Sequence, residues 1–436
     1  MKKLWFISTL AFLPVLAAVL AIQGCAGVGG ATTNNGGQGS VSEAFLALLS
    51  NEQRAATSIT SEECADCHGG RDEGDPLYAH YKETVHAKKG VTCESCHGPG
   101  SVHKAGPNKT NILTFPKIAN PVVCAQCHGP TADEFKFSAH AKLLTSAVDR
   151  FVGNPASHNS SQCMSCHSGL ARAQYIENGK PVTGLTTDEV KALAENTLSV
   201  VPHTADCVTC HNPHKKTGNL NAEGEEVQIH RKLFNADTTN IGPGTTASTF
   251  TNYDHVCAQC HNGRGVDPSD SRLTSSTSRP GMHYSNQMQM LMGFGGVDGP
   301  GTVQKNTAHA NAPAQCSKCH MPDARHSFTV SYDKGCAPCH TAADAGARKT
   351  SVKSETLAAL TNLHASLGAW AQATFGNSHM WDYTSYLTEE GLTPPNQTLV
   401  PIQVKRARHN YYFVIHSGDY GVQNAPYAKQ IGRAHV

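Results

Sequence analysis

Apolar positions fall into three unequal zones along this chain. The first runs from Leu4 to Ile22, interrupted by Ser8, Thr9 and Pro14, and follows the basic pair Lys2-Lys3. It reads as an export signal over residues 1–24. From about residue 60 to 340 no helical or strand period persists, because Gly, Pro, Asn, Ser and Thr recur every few positions. That punctuation predicts short helices joined by long loops, with little β structure. Helical period returns only after residue 341. Leu357, Leu360, His364, Leu367, Ala371 and Phe375 would share one helix face ending near Gly376, and 402–416 reads as a second helix before Gly418. The expected fold is mainly α with extensive loops and a C-terminal helical pair.

Composition says that side chains alone do not fill the interior. Of 436 residues only 39% are hydrophobic, 6% aromatic and 16% charged, which is poor in core-forming groups for this length. Lys+Arg is 35 against Asp+Glu 34, and no extended basic stretch occurs, so nucleic acid is excluded as a partner. Ile22-Gln23-Gly24-Cys25 resembles a bacterial lipobox, predicting a lipid on Cys25, membrane attachment through it, and an outer-membrane lipoprotein facing the periplasm or cell surface. An uncleaved 19-residue span from Leu4 to Ile22 is the alternative. Residues 25–60 then form a glycine- and asparagine-rich flexible tether with a short helix. At the other end, 431–436 can be written as the codons of a common sequencing adapter; a genuine hexapeptide is the alternative.

Cysteine spacing supplies the missing interior. Seventeen cysteines are present, and all but Cys25 occur as Cys-x-x-Cys followed at once by His. The pairs are Cys64/Cys67, Cys93/Cys96, Cys124/Cys127, Cys163/Cys166, Cys207/Cys210, Cys257/Cys260, Cys316/Cys319 and Cys336/Cys339. The histidines are His68, His97, His128, His167, His211, His261, His320 and His340. We number these sites 1 to 8 in chain order. Two thiols a turn apart reach the two vinyl groups of one porphyrin, and the adjacent imidazole falls under the iron. Eight haems c are therefore expected within an eight-haem core at 61–341, followed by a helical segment at 342–430 packed on them. Zinc ribbons and disulfide staples leave the invariable histidine unexplained, and thioredoxin-like chemistry needs one motif rather than eight. With sixteen thiols consumed as thioethers, no cysteine is left for a disulfide. The motif starts are separated by 29, 31, 39, 44, 50, 59 and 20 residues, so this is a series of sites and not a sequence repeat.

Haem also rewrites the charge. After cleavage before Cys25 the chain carries 33 basic and 34 acidic residues. Sixteen propionates would bring the formal charge to about −17 reduced and about −9 oxidised, coupling surface field to redox state.

The chain has 25 histidines, leaving ample distal ligands beyond the eight in the motifs. Those near motifs are the candidates: His86, His103, His140, His158, His214, His283, His309 and His326, with His80, His203, His230 and His255 in reserve. Met282, Met288, Met290 and Met292 compete as sixth ligands, though soft packing against a porphyrin is the favoured role. Bis-histidine ligation predicts low potentials, suited to anaerobic respiration.

Several elements flanking the motifs give a family resemblance. His97-Gly98-Pro99-Gly100 with His103, Cys260-His261-Asn262-Gly263-Arg264 followed by Pro280-Gly281-Met282-His283, and His320-Met321-Pro322 followed by His326-Ser327-Phe328 are similar to the exported multihaem cytochromes c related to hydroxylamine oxidoreductase, especially octahaem lipoproteins of metal-respiring bacteria. The resemblance spans about 60–430. It implies distal ligation by His283, His309 and His326, and a further ligand at position 423. Gln423 stands there instead, leaving one haem to another residue or open.

Two functions follow as expectations. The first is an electron carrier in respiratory or extracellular electron transfer. Its partners would be other multihaem cytochromes, a porin-cytochrome conduit or an extracellular acceptor, with a haem-continuous homopolymer as a further form. The second is a multihaem oxidoreductase with one open haem acting on hydroxylamine, nitrite or a sulfur oxyanion. No motif has Lys in place of the proximal His, and Tyr411-Tyr412 keeps the enzyme in play, although packing is the favoured role for that pair. The carrier is the preferred reading.

Overall fold

A computed structural model describes residues 41–69, 77–142, 164, 166–173, 186–189, 191–192, 195, 204–221, 224–230, 255–263, 266–275, 283–299, 308–337 and 339–433. The signal, residues 25–40 of the tether, Cys163, His158, His203 and Met282 lie outside them. Among the described residues there are helices and no strand. Two isolated bridges, His211 with Ile229 and Leu220 with Glu226, are the β pairing present. No helix among these residues is long and apolar enough to cross a membrane.

The motif-bearing region is built of short helices, most opened by a side-chain cap. α1 (Ser61–His68) starts at Thr60, whose hydroxyl accepts from the Glu63 amide while the Glu63 carboxylate accepts from the Thr60 amide. α2 (Val85–Lys88) starts at Thr84, α3 (Cys93–His97) at Thr92, and α4 (Pro121–Ala125) at Asn120 with Pro121 in the first turn. α5 is Gly129–Lys136, and α6 (Cys207–Cys210) is capped by Asp206. Each cap satisfies a backbone donor that so short a helix cannot pair internally. Gly98, at φ 76°, ends α3. A Cβ there would lie 2.8 Å from Leu49 Cδ2, so the chain must turn at a residue without one. Two helical turns, at 43–46 and 51–55, precede α1 where the sequence suggested one short helix. Phe45 and Leu49 pack with Leu113 and Val123, and Gln53 Nε2 donates to the His97 carbonyl at 2.9 Å.

α7 (Gln287–Met292) and α8 (Cys316–His320) lead into three larger helices. α9 (Ala342–Phe375) ends at Gly376, φ 75°, and α10 (Ile402–Ser417) ends at Gly418, φ 69°, as the sequence pattern suggested; α11 (Ala425–Arg433) follows. The buried face of α9 is rotated from the expected one: Leu360, Leu367 and Ala371 are buried, with Thr356 and Gly368 beside them, while Leu357 is 39% exposed. Only part of α9 packs on α10 and α11, so its outer residues keep a helical spacing without a partner. The C-terminal core joins Met290 of α7 to Leu360, Phe413, Val414, Tyr427 and Ile431, each such side chain contributing about 1.5–3 kcal/mol on burial. Met288, Met290 and Met292 are likewise buried as packing. Polar clamps fix this junction. Asn286 Nδ2 donates to Phe413 O and Gln287 Nε2 to Ser417 O, both at 2.9 Å, and Asn410 pairs with Val297 in both directions. Ile431 is fully buried and its carbonyl accepts from Asn410 Nδ2 at 2.8 Å, so helix α11 continues through it.

Candidate haem sites

The short helices hold the motif thiols on one turn beside the histidine. α1, α3 and α8 each carry both cysteines and the histidine, α6 carries Cys207 and Cys210 with His211 next, and α4 ends just after Cys124. Cys257 begins a 3₁₀ turn before Cys260 and His261, and Cys336 closes a wide turn before Cys339 and His340. Among the described residues, fourteen motif cysteines are free thiols.

Three motif cysteines differ from the rest. Cys67 and Cys339 are exposed, whereas their motif partners Cys64 and Cys336 are half-buried. For Cys67 the reason is its helix: α1 buries none of its residues, and Cys67 and His68 end it on the solvent side. A two-residue gap sets the distance between two thiols but not which of them the rest of the chain covers, so site 1 has one sheltered sulfur and one at the surface. Cys127 departs from the expectation that no disulfide forms. Its sulfur is disulfide-bonded, and a sulfur in that bond cannot also be a thioether.

The imidazoles sort by which nitrogen they use. His97 Nδ1 donates to Leu113 O at 2.8 Å, His211 Nδ1 to Val227 O at 2.9 Å, His320 Nδ1 to Phe328 O at 3.1 Å, and His261 Nδ1 to Gln287 Oε1 at 3.4 Å. His340 Nδ1 donates to the Asp344 carboxylate at 3.2 Å. Outside the motifs, His103, His283, His309 and His326 also donate through Nδ1, to Asn111 Oδ1, Tyr284 O, Gln423 O and Ala324 O, at 2.6 to 3.0 Å. Each such bond fixes the tautomer and turns Nε2 outward as a metal ligand, the outer support that ligating histidines require. His230, His255 and His409 do the reverse: their Nε2 atoms bond the carbonyls of Val208, Ala314 and Gly295. That removes His230 and His255 from the reserve. His255, Cys257 and Cys316 do cluster within 4.8 Å, but His255 Nδ1 accepts from the Cys257 amide, so neither ring nitrogen is left for an ion.

Among the described residues, seven motif histidines face a second imidazole. The pairs are His68 with His103, His97 with His214, His128 with His86, His167 with His283, His211 with His326, His261 with His140 and His340 with His309. Their ring centroids are 5.9 to 6.4 Å apart. Two nitrogens at about 2.0–2.1 Å from one metal, each with its ring centre about 1 Å deeper, require about 6 Å. The donor set and its spacing fit an iron between each pair. Three pairs are near-parallel, at 14°, 23° and 29°, and four are crossed, at 61° to 88°. Burial holds several of these rings neutral, as ligation needs: His140, His211 and His214 are each pushed down to about 4.

Seven of the eight distal candidates named from sequence thus stand opposite a motif histidine, and His158 lies outside the described residues. His320 stands in none of the pairs, although its Nδ1 is fixed like the others. Phe328, which proximity to motifs did not bring out, is the missed residue. Its carbonyl orients His320, its ring meets His140 edge-on at 4.4 Å, and it lies 6.0 Å from His326. Gln423 is not a ligand by its side chain; its backbone carbonyl orients His309 instead. Tyr411 and Tyr412 pack against Trp381, with Tyr412 Oη donating to Asp382 at 2.7 Å.

Thiols of different motifs also meet. Hydrogen-bonding contacts join Cys64 with Cys93, Cys124 with Cys207, Cys166 with Cys260 and Cys257 with Cys316. Cys96 lies near Cys124, Cys210 near Cys257 and Cys260, and Cys319 near Cys336 and Cys339.

A helical, loop-rich chain whose interior is lined by paired imidazoles and motif thiols defines a class: this is an exported multihaem c-type cytochrome that binds haem c. The family described as cytochrome c554 and c-prime matches residues 40–98. The chain is similar to the C-type polyheme cytochrome OmcC of Geobacter sulfurreducens, 24% identical over 240 residues, covering 44% of this chain and 30% of that one. It is also 24% identical over 213 residues to OmcB of the same species, covering 47% and 25%. It therefore spans less than a third of these relatives. Among solved structures it is similar to an undecaheme cytochrome from the S-layer of Carboxydothermus ferrireducens, with 19% identity, TM-score 0.46 and coverage of 79% of this chain and 49% of that one. The outer cell wall cytochrome OcwA gives 17% identity and TM-score 0.49, covering 79% and 69%.

Proposed function

We propose that the protein carries eight haems c and conducts single electrons between respiratory or cell-surface partners. The seven histidine pairs carry this reading, because a site closed by two imidazoles leaves no position for substrate. Each bound haem supplies an iron that alternates between ferric and ferrous. The residues attach it, fix the ligand tautomers and exclude water. The contacts between motifs support an order: sites 1, 2, 3, 5 and 6 in sequence, with site 4 joining at 6, and site 7 leading from 6 to 8. Sites 1 and 8, the two with an exposed thiol at Cys67 and Cys339, are the ends of the longest run in that order, where exchange with a partner needs a surface-facing haem edge. The reading takes Cys127 as a thioether, so the disulfide at that sulfur must be absent from the haem-loaded protein. Lipid attachment at Cys25, outer-membrane placement, cytochrome or porin-conduit partners and a homopolymer belong to the same proposal.

The alternative is an open haem that binds a small nitrogen or sulfur compound; site 7 is the place to look, since His320 faces no imidazole among the described residues and His158, the eighth distal candidate, lies outside them. Electron paramagnetic resonance of the oxidised holoprotein, with intact mass for the haem count, separates the two. Eight haems, all low-spin, support the carrier and remove the open site. A high-spin share near one in eight shows one open haem and supports the second reading. Fewer than eight attached haems overturns the count, with site 3 the first to inspect.

A further inference from the structure

A cavity of about 460 Å³ opens between α9 and the chain at 378–390, with no motif residue in its lining. That volume is within the range of small-molecule sites. Trp381, 3% exposed, forms its aromatic back wall. Around the wall stand His364, His379, Asp382 and Glu390, with Ala369 on the helix side. His379 Nδ1 donates to the Glu390 carboxylate at 2.8 Å, which leaves Nε2 facing outward. His364 meets Trp381 edge-on at 5.4 Å. These donors do not hold an ion: among the described residues the groups that converge as a metal needs are His255, Cys257 and Cys316. Two imidazoles, two carboxylates and an aromatic wall spread around a slot suit a planar molecule that gives up protons.

Behind the wall runs a column of rings. Trp381 stacks with Tyr412 at 6.3 Å, Tyr412 lies 5.5 Å from His416, and His416 lies 3.8 Å from Tyr284. Tyr284 is 6.5 Å from His283, the imidazole facing His167 at site 4. Asp382 belongs to both parts, lining the cavity and accepting the Tyr412 hydroxyl. Site 4 is also the end of a branch in the proposed order, where an electron can enter without passing through another site.

We propose that this cavity binds a small neutral hydroquinone and delivers its electrons to site 4 along the Trp381–Tyr412–His416–Tyr284 column. Oxidation breaks two O–H bonds and yields the quinone, two protons and two electrons. The protons pass to the His379–Glu390 pair and to His364 or Asp382; the electrons, one at a time, reduce two ferric haems. The inference rests on the electron-transfer reading above.

The test mixes oxidised holoprotein anaerobically with 1,4-naphthohydroquinone and follows haem reduction by stopped-flow absorbance. The expected rate saturates with hydroquinone. Ala369→Trp, at an exposed helix position, fills the slot and raises the half-saturating concentration at least tenfold with the plateau kept. Tyr412→Leu breaks the column and lowers the plateau at least tenfold with half-saturation kept. Dithionite reduces all three proteins alike. A rate linear in hydroquinone, or one that Ala369→Trp leaves unchanged, overturns the site while normal dithionite reduction leaves the carrier reading standing. An unchanged plateau in Tyr412→Leu overturns the column. Haems that dithionite does not reduce would instead sink the electron-transfer reading itself.

Discussion

Phe328 is the residue through which three sites depend on one side chain and one carbonyl. Its ring contacts His140 of site 6 and His326 of site 5, and its carbonyl accepts from His320 of site 7. Phe328→Ala keeps the carbonyl and removes both ring contacts. An edge-to-face aromatic contact is worth about 0.5–1.5 kcal/mol, so each of the two distal imidazoles should leave its seat about two- to tenfold more often. The backbone adds a second arm to the test. Phe328 sits at φ 57°, a conformation that costs a non-glycine residue about 1–2 kcal/mol. Phe328→Gly should therefore be more stable than Phe328→Ala by about 1 kcal/mol while disturbing the same ligands. The assay is electron paramagnetic resonance of oxidised holoprotein, paired with denaturant unfolding of both variants. Two low-spin components should broaden or convert while the others stay fixed, and all haems should remain attached. An unchanged spectrum, or an equal change at every site, would refute the placement of Phe328 between sites 5 and 6.

Three other outcomes follow from single observations. Near-parallel imidazoles at sites 1, 2 and 5 should give rhombic low-spin signals and crossed ones at sites 3, 4, 6 and 8 strongly anisotropic signals; a single uniform class would contradict the ring orientations. Ile431→Ala removes a fully buried side chain from the C-terminal core and should cost about 2–5 kcal/mol in chemical denaturation; no loss would show that Ile431 does not belong to the fold. Burial pushes His409 down to about 4 from 6.5, so the unfolded chain takes up the proton first as pH falls. The stability tied to this neutral ring is complete above pH 6.5 and declines by about 3 kcal/mol towards pH 4. His409→Gln should flatten that decline in denaturant midpoints measured against pH, and an unaltered slope would exclude the ring as its source.

The motifs and the two C-terminal helices could be read from the chain because each is local: a thiol spacing, a capped turn, a period closed by glycine. Ligand pairing is not local. His214 faces His97, His140 faces His261 and His283 faces His167 across more than a hundred residues each, and spacing carries no record of such folding. Nearness to a motif did select histidines that face motif imidazoles. It could not separate them from His230 and His255, which differ only in which nitrogen meets a carbonyl. Nor could the motif itself tell Cys67 from Cys96, the same position in adjacent motifs, although the first is exposed and the second half-buried. The buried face of α9 was misjudged at Leu357 for a related reason, since period defines a stripe and the neighbours decide how much of it is covered. Phe328 was quoted as part of a motif without its role, because its φ and its two ring contacts arise only once sites 5, 6 and 7 converge.

Position 423 shows how a lost side chain can leave a site intact. The resemblance placed a ligand there, and Gln423 offers none, yet its carbonyl still accepts from His309 Nδ1 at 3.0 Å. What holds that carbonyl is Asp419, whose carboxylate accepts from the Gln423 amide at 2.8 Å, the Gly421 amide at 3.2 Å and the Ser417 hydroxyl at 2.5 Å. Gln423→Ala keeps every one of these bonds, so the site formed by His309 and His340 should keep its spin state and potential. Asp419→Ala removes three acceptor contacts to a buried carboxylate, on the order of 3 kcal/mol in all, and should free the loop and disturb that one site. A redox titration of the two holoprotein variants decides the matter. If Gln423→Ala changes the site and Asp419→Ala does not, the side chain at 423 acts on the haem after all, and the orienting role assigned to its carbonyl is wrong.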